Sequence, residues 1–267
     1  MSAVSSIFAP PPPSVAIELA SRRVTVVEVG RGSKGVSVVG YASEPLPPNA
    51  IIPSSTAANI PNPGMVSEAH GRALERAGVR ATKRAAVILP DSAARLSLIT
   101  LDQVPPKPTD VDQLIRWQMK KGTPYPVEEA QLSWSVAHKT SSATVLAAVL
   151  ARREVVAEYE AVATKLGIHA GLVDLASLNV MNAVIAANAA SPSDWLLVTM
   201  APEATTLAIG RGSDLMFYRQ RAAVDEEPLS ALVHQTAMYH EDRLGGSRFA
   251  RVWLCGIGSG ADDARRT

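Results

Sequence analysis

The chain has 267 residues, enough for one large domain or for two lobes that each bury a core. With 47% hydrophobic and 19% charged residues and a net charge of +1 from 26 basic and 25 acidic side chains, it excludes wholesale disorder and gives no global field for a broad nucleic-acid surface. A single cysteine, Cys255, excludes an intrachain disulfide and a cysteine-built metal site, and a reducing compartment is its simplest home.

Met1–Pro13 lacks a basic start and a long apolar run, and ends in four consecutive prolines, so it reads as an extended leader rather than a signal peptide. No run of about 18 apolar residues follows, so any membrane role is expected to go through a partner. Val15–Leu19, Val24–Val29 and Val36–Tyr41 predict three meandering strands, and Pro45–Pro63 a surface crossing without regular structure. Ser67–Ala77 has a helical rhythm with Gly78 at its left-handed end, and Ala85–Leu89 and Leu96–Leu101 are apolar runs of strand length.

After Pro105-Pro106, Thr109 with Asp112 three residues on predicts a capping box, and Val111, Leu114, Ile115 and Met119 form one helix face. Leu132–Val136 and Val145–Leu150 predict a hairpin across Ser141-Ser142, the second strand apolar enough to be buried on both faces. Val155, Val156, Tyr159, Val162 and Leu166 predict a helix stopped by Gly167, followed by a strand at Ile168–Val173 and an apolar helix at Leu178–Ile185. Beyond the turn at Ser191–Asp194, strands at Trp195–Val198, Thr205–Gly210 and Asp214–Arg219 repeat the opening theme. A helix carrying Leu229, Leu232, Val233, Thr236 and His240 and a strand at Arg251–Cys255 close the pattern.

The segments ITLDQVPPKPTDVDQLIRWQMKKGTPYPVEEAQLSWSV (Ile99–Val136) and VLAAVLARREVVAEYEAVATKLGIHAGLVDLASLNVMNA (Val145–Ala183), with Leu46–Ile51, resemble the PilM family of type IV pilus assembly proteins. The resemblance implies an α/β protein of the actin-like ATPase (ribonuclease H-like) fold, two lobes with an inserted 1C-type subdomain and an incomplete second lobe. The implied layout is a leader at 1–13, the first part of subdomain 1A at 14–95, the insertion at 96–166, the return of 1A at 167–192, and lobe II at 193–267. FtsA and the cytoplasmic part of GspL share the architecture and remain rivals.

Actin-like phosphate loops use Asp-x-Gly followed by Ser or Thr, the carboxylate for the metal and its waters, the glycine for close backbone approach. Here Glu18 and Ala20 stand at the first pair of positions and Thr199 and Ala201 at the second. What remains is a remnant nucleotide site of Glu18, Ser21, Arg22, Thr205, Thr206, Gly256 and Gly258. Two threonines in a strand are equally good strand formers, and a glycine-rich turn is by itself ordinary. No catalytic residue or metal ligand is assigned; ATP with magnesium is the cofactor the remnant would take.

The resemblance also implies a cytoplasmic, non-enzymatic scaffold that binds the tail of a PilN-like inner-membrane protein, with other pilus motor components as further partners, and that meets the membrane only through them. Trp117 and Tyr125 are expected to border that tail's groove, although core packing is the commoner role for them and for Trp134. Two alternatives stay open, an active ATPase of the same fold and an FtsA-like filament former. The five histidines are scattered, and Cys255 in a strand pattern reads as a buried structural thiol.

Overall fold

A computed structural model of the chain describes residues 11–32, 35–188, 192–225 and 227–256. The chain divides into two compact units, one made of 1–52, 58–90 and 156–174 and the other of 53–57, 91–155 and 175–267. The expected leader and the turn holding Gly258 lie largely outside the described residues.

The first unit is built on a five-stranded sheet in the order β3-β2-β1-β4-β8, from β1 (Val15–Ala20), β2 (Arg23–Gly32), β3 (Gly35–Pro45), β4 (Arg84–Leu89) and β8 (His169–Leu175). The three opening strands meander, and β1 then pairs in parallel with β4. Val15, Ile17 and Leu19 alternate inward along β1, and Val24, Val26 and Ala42 lie on the same face by register. Helix α1 (Pro63–Ala77) packs there with Val66, Ala69 and Ala73 buried. It begins four residues before the predicted start because Asn62 accepts a hydrogen bond from the Met65 amide and Pro63 occupies the first turn, and it ends at Gly78 with φ 75°.

Glu44 faces α1 and is clamped by Arg72 at 3.3 Å and by Arg76, whose guanidinium is the main cause holding its carboxyl below the usual range. His70 on α1 is fully buried, and burial pushes its imidazole down to about 4 against the opposing pull of the Val162 carbonyl. The end of the predicted crossing is fixed in this unit too. The Glu158 carboxylate accepts the Asn59 and Ile60 amides, both at 2.7 Å, and the Tyr159 hydroxyl donates to the buried Asn59 Oδ1 at 2.9 Å.

The second unit holds two sheets. The smaller, in the order β5-β7-β6, joins β5 (Arg95–Leu101), β6 (Ala130–Lys139) and β7 (Thr144–Arg152). Helix α2 (Pro108–Met119) buries Val111, Ile115 and Met119 against Ile99, Leu101, Leu146, Ala148 and Leu150. No capping box forms: Pro108 sets the first turn, so Lys107 is the cap residue, without a side-chain hydrogen bond, and Thr109 is already helical. Asp112 instead accepts the Trp134 indole N–H at 2.6 Å. Strand β7 is covered on both faces, as its apolar run predicts: Leu146, Ala148 and Leu150 point into the core under α2, while Val145 and Ala147 on the other face pack with Met181, Val184, Trp195 and Leu215, and Val149, farther along that face, is half-buried. Arg152 donates to the Thr56 carbonyl at 2.9 Å.

Helix α3 (Arg153–Thr164) leads out of β7, and its stop at Gly167 has φ 74°. The larger sheet runs β11-β10-β9-β12, from β9 (Asp194–Met200), β10 (Ala204–Arg211), β11 (Asp214–Ala222) and β12 (Arg251–Gly256). Strand β9 is apolar on both faces and both are used. Trp195 and Leu197 pack with Met181 and Val184 of α4 (Ala176–Asn188), and Leu196 and Val198 with Leu232 of α5 (Leu229–Leu244). A β carbon on Gly210 would lie 2.0 Å from the Trp195 ring, so that ring fits only over glycine.

Candidate functional site

In the first unit, Glu18 stands on β1 and pairs with Arg23 at 3.5 Å, and Ser21 and Arg22 form the β1–β2 turn. That turn uses no left-handed residue, since Asn49 is the sole non-glycine residue with positive φ among those described; Ala20 is therefore accommodated where a phosphate loop would carry glycine. The Arg22 carbonyl accepts the Leu46 amide at 2.8 Å, tying the turn to the end of the meander.

In the second unit, register brings Thr205, Thr206 and Gly256 to one end of the larger sheet: Thr206 faces Thr199, and Met200 lies between Thr205 and Gly256. Gly256 has φ 109°, and a β carbon there would meet the Met200 carbonyl oxygen at 1.9 Å, so the packing of β12 on β9 alone demands glycine. Thr206 is buried, and its hydroxyl donates to Asp91 Oδ2 at 2.8 Å. The Thr199 hydroxyl donates to the Thr206 carbonyl at 3.4 Å.

Asp91 is a group that sequence reasoning missed. It opens a 3-10 turn directly after the buried strand β4, and its Oδ1 accepts the amide of Ser177 at the start of α4 at 2.9 Å. Burial pushes its carboxyl up, while the hydrogen bonds from Ser177 and Thr206 pull the other way. The Tyr218 hydroxyl stands 3.4 Å from Ser177 Oγ, and burial together with the Asp91 charge raises its pKa. Gln220 donates to Ser92 Oγ at 3.0 Å. Three sequence-distant elements thus meet on one carboxylate, and the Thr206 hydroxyl is committed to it rather than presented to a ligand. A polar residue just after a strand–proline end was the one available signal.

A second cluster holds the start of β9. Asp194 accepts two bonds from the Arg211 guanidinium, at 2.7 and 2.9 Å, and one from His240 Nε2 at 2.6 Å. Arg211 is the main cause of its depressed carboxyl pKa. His240 stacks on Phe249 with centroids 4.3 Å apart, and a β carbon on Gly246 would strike its ring. The trio's geometry is that of a brace for the C-terminal end of α5, since Arg211 also donates to the Leu244 carbonyl at 3.2 Å.

The expected partner-binding aromatics differ in burial. Tyr125 packs against the core of the small sheet with its hydroxyl buried and, among the described residues, without a protein partner; burial raises its pKa, with Arg95 and Arg152 opposing. Trp117 is not a core residue: it is 72% exposed, because it lies two residues beyond Ile115 and so about 200° around the helix from the buried face. Trp134 is partly buried over the core and bonded to Asp112, and Cys255 is partly rather than fully buried.

A family model described as "Type IV pilus assembly protein PilM" matches residues 16–241. No curated protein sequence matches the chain. Among solved structures, the "PilM-PilN type IV pilus biogenesis complex" aligns with a TM-score of 0.70 at 20% identity, covering 87% of this chain and 66% of that one. The present chain therefore spans about two thirds of that relative's length. A Bacteroides thetaiotaomicron protein with an actin-like ATPase fold aligns at TM-score 0.55 and 7% identity over 94% of this chain and 85% of that one. The cytoplasmic domain of EpsL, an inner-membrane component of the Vibrio cholerae type II secretion system, aligns at 0.53 and 11% over 91% and 83%. These likenesses establish the actin-like ATPase fold.

Proposed function

The chain belongs to the PilM family of type IV pilus assembly proteins, and on that premise we propose that it is a cytoplasmic scaffold that binds the short tail of a PilN-like inner-membrane protein and holds only a degenerate nucleotide site. The family match over residues 16–241 carries the reading. It is supported by the relative of the same fold whose structure is described as a complex with PilN. None of the helices among the described residues is long and apolar enough to cross a membrane, in keeping with attachment through a partner.

The degenerate-site half of the proposal rests on chemistry. Thr199 stands where a metal-organising carboxylate belongs, and Thr206 spends its hydroxyl on Asp91. Magnesium-dependent ATP turnover by the purified protein that falls in Glu18→Ala or Thr199→Ala would refute it. For the tail, the surface of the 96–166 region is the proposed seat, with exposed Trp117 as its anchor and the core-packed Tyr125 as the second residue expected to border it. The decisive measurement is binding of a synthetic tail peptide from a neighbouring gene that encodes a one-helix membrane protein. Trp117→Ala with Tyr125→Ala is expected to weaken it at least tenfold; unchanged affinity with an intact fold would remove both residues from the site.

A further inference from the structure

Strand β3 is the outer member of its sheet, and its outer half carries Val36, Val38, Val39 and Tyr41 at 68, 62, 62 and 64% exposure. Register fixes where they point. Tyr41 lies opposite Val27, Val38 opposite Val29 and Val36 opposite Arg31, β2 residues two apart, so all three share one face of the sheet. In a regular strand Val38 and Tyr41 would face opposite ways; the register shift between Glu28 and Val29 leaves Val39 as an extra residue and brings them into phase. The other face belongs to α1, which approaches so closely that a β carbon on Gly40 would sit 2.4 Å from the Ala77 carbonyl oxygen.

The result is a stripe of Val27, Val29, Val36, Val38 and Tyr41 that runs out to an open strand edge. From 35 to 43 the strand contains no charged residue and no proline, the usual devices that blunt such edges. Among the described residues, no backbone hydrogen bond joins 36–44 to anything but β2.

Area and charge select the occupant. The three exposed side chains of the stripe, Val36, Val38 and Tyr41, offer on the order of 300 Å², well under the roughly 800 Å² that each partner contributes to a stable complex. That is too little to hold two copies of this chain together, but it suits one extended segment that also gains main-chain hydrogen bonds along the edge. A charged residue set over the middle of the stripe, at Val38 and Tyr41, would be desolvated beside apolar side chains, because the β2 residues opposite them on that face are Val29 and Val27. We propose that the outer edge of β3 docks an extended, uncharged segment of a partner protein, with β-branched or aromatic side chains at alternate positions, as a sixth strand. This site is separate from the tail site proposed around Trp117.

The test uses the full chain and nine-residue peptides that alternate Val, Ile or Tyr with Ser or Thr, against the same peptides with Glu at the central apolar positions, read by fluorescence anisotropy. Saturable binding by the uncharged set is expected, at least tenfold weaker for the Glu set and for Val38→Lys and Val36→Lys, with slowed amide exchange across 36–42. Both valines are exposed, so an unchanged melting temperature checks that each variant folds. Equal binding of the two peptide sets, or binding untouched by both lysines, overturns the proposal. So does a concentration-dependent dimer that Val38→Lys abolishes, which would make the occupant a second copy. Loss of membrane-protein tail binding in Val38→Lys would make this edge the tail's own seat and refute a separate site.

Discussion

Replacing His70 with leucine should flatten the acid limb of this protein's stability curve. The imidazole is fully buried in α1 with a folded pKa of about 4 against an ordinary value of 6.5. Between those values the unfolded chain takes up a proton that the folded chain refuses, so stability falls as pH drops from about 7 towards 4 and levels off below. Linkage over that gap gives a loss of about 2.5 kcal/mol between pH 7.5 and 4.5. Glu44 and Asp194 have depressed carboxyl pKa values, so their contributions are present above the ordinary carboxylate range and are lost as pH falls through those lowered values, at the acid end of the curve. Asp91, with a raised pKa, works in the opposite sense, its contribution being largest in acid. Urea unfolding of wild type and His70→Leu at pH 7.5, 6.0, 5.0 and 4.5 isolates the histidine, because the other groups cancel in the difference. Parallel curves for the two proteins, or a His70 ring proton that titrates near 6.5 by NMR, would refute the reasoning.

Tyr159→Phe removes the donor to buried Asn59 and should cost about 1 to 2 kcal/mol, read by urea unfolding, with faster amide exchange at Asn59 and Ile60. Gly256→Ala drives a β carbon into the Met200 carbonyl at a positive φ and should cost roughly 2 to 4 kcal/mol, measured as a lowered melting temperature. Asp91→Asn mimics the protonated carboxyl, so the variant should compare better with wild type at pH 8 than at pH 4, the sign expected for a raised folded pKa. An Asp91→Asn penalty that grows with pH would contradict this.

Sequence pattern revealed most where periodicity is local. Among the described residues the twelve strands all coincide with apolar runs, β1 by alternation and β9 by apolar residues on both faces, and Gly78, Gly167 and Gly245 end their helices in the left-handed region as glycine stops should. The start of α1 was written in Asn62-Pro63 but hidden by the surrounding prolines, and Thr109 imitated a cap that Pro108 had pre-empted. Trp117 shows the limit of hydrophobicity as a guide, since its composition reads as core while helix phase turns it outward. The site was legible as a list of substitutions from a phosphate-loop pattern. The Asp91 contacts, which join residues 86 and 115 positions apart, were not, because no local signal encodes a partner that distant.

The Pro-rich stretch after β3 receives its anchors very late in the chain: Thr56 from Arg152, and Asn59 from Glu158 and Tyr159. On a ribosome that releases the chain at about 5 to 20 residues per second, the stretch must wait several seconds for the side chains that will hold it. Ile51 and Ile60, both buried in the finished protein, flank those anchored residues. A nascent chain halted before position 152 should therefore be open to protease within 45–63 and become resistant once α3 has emerged.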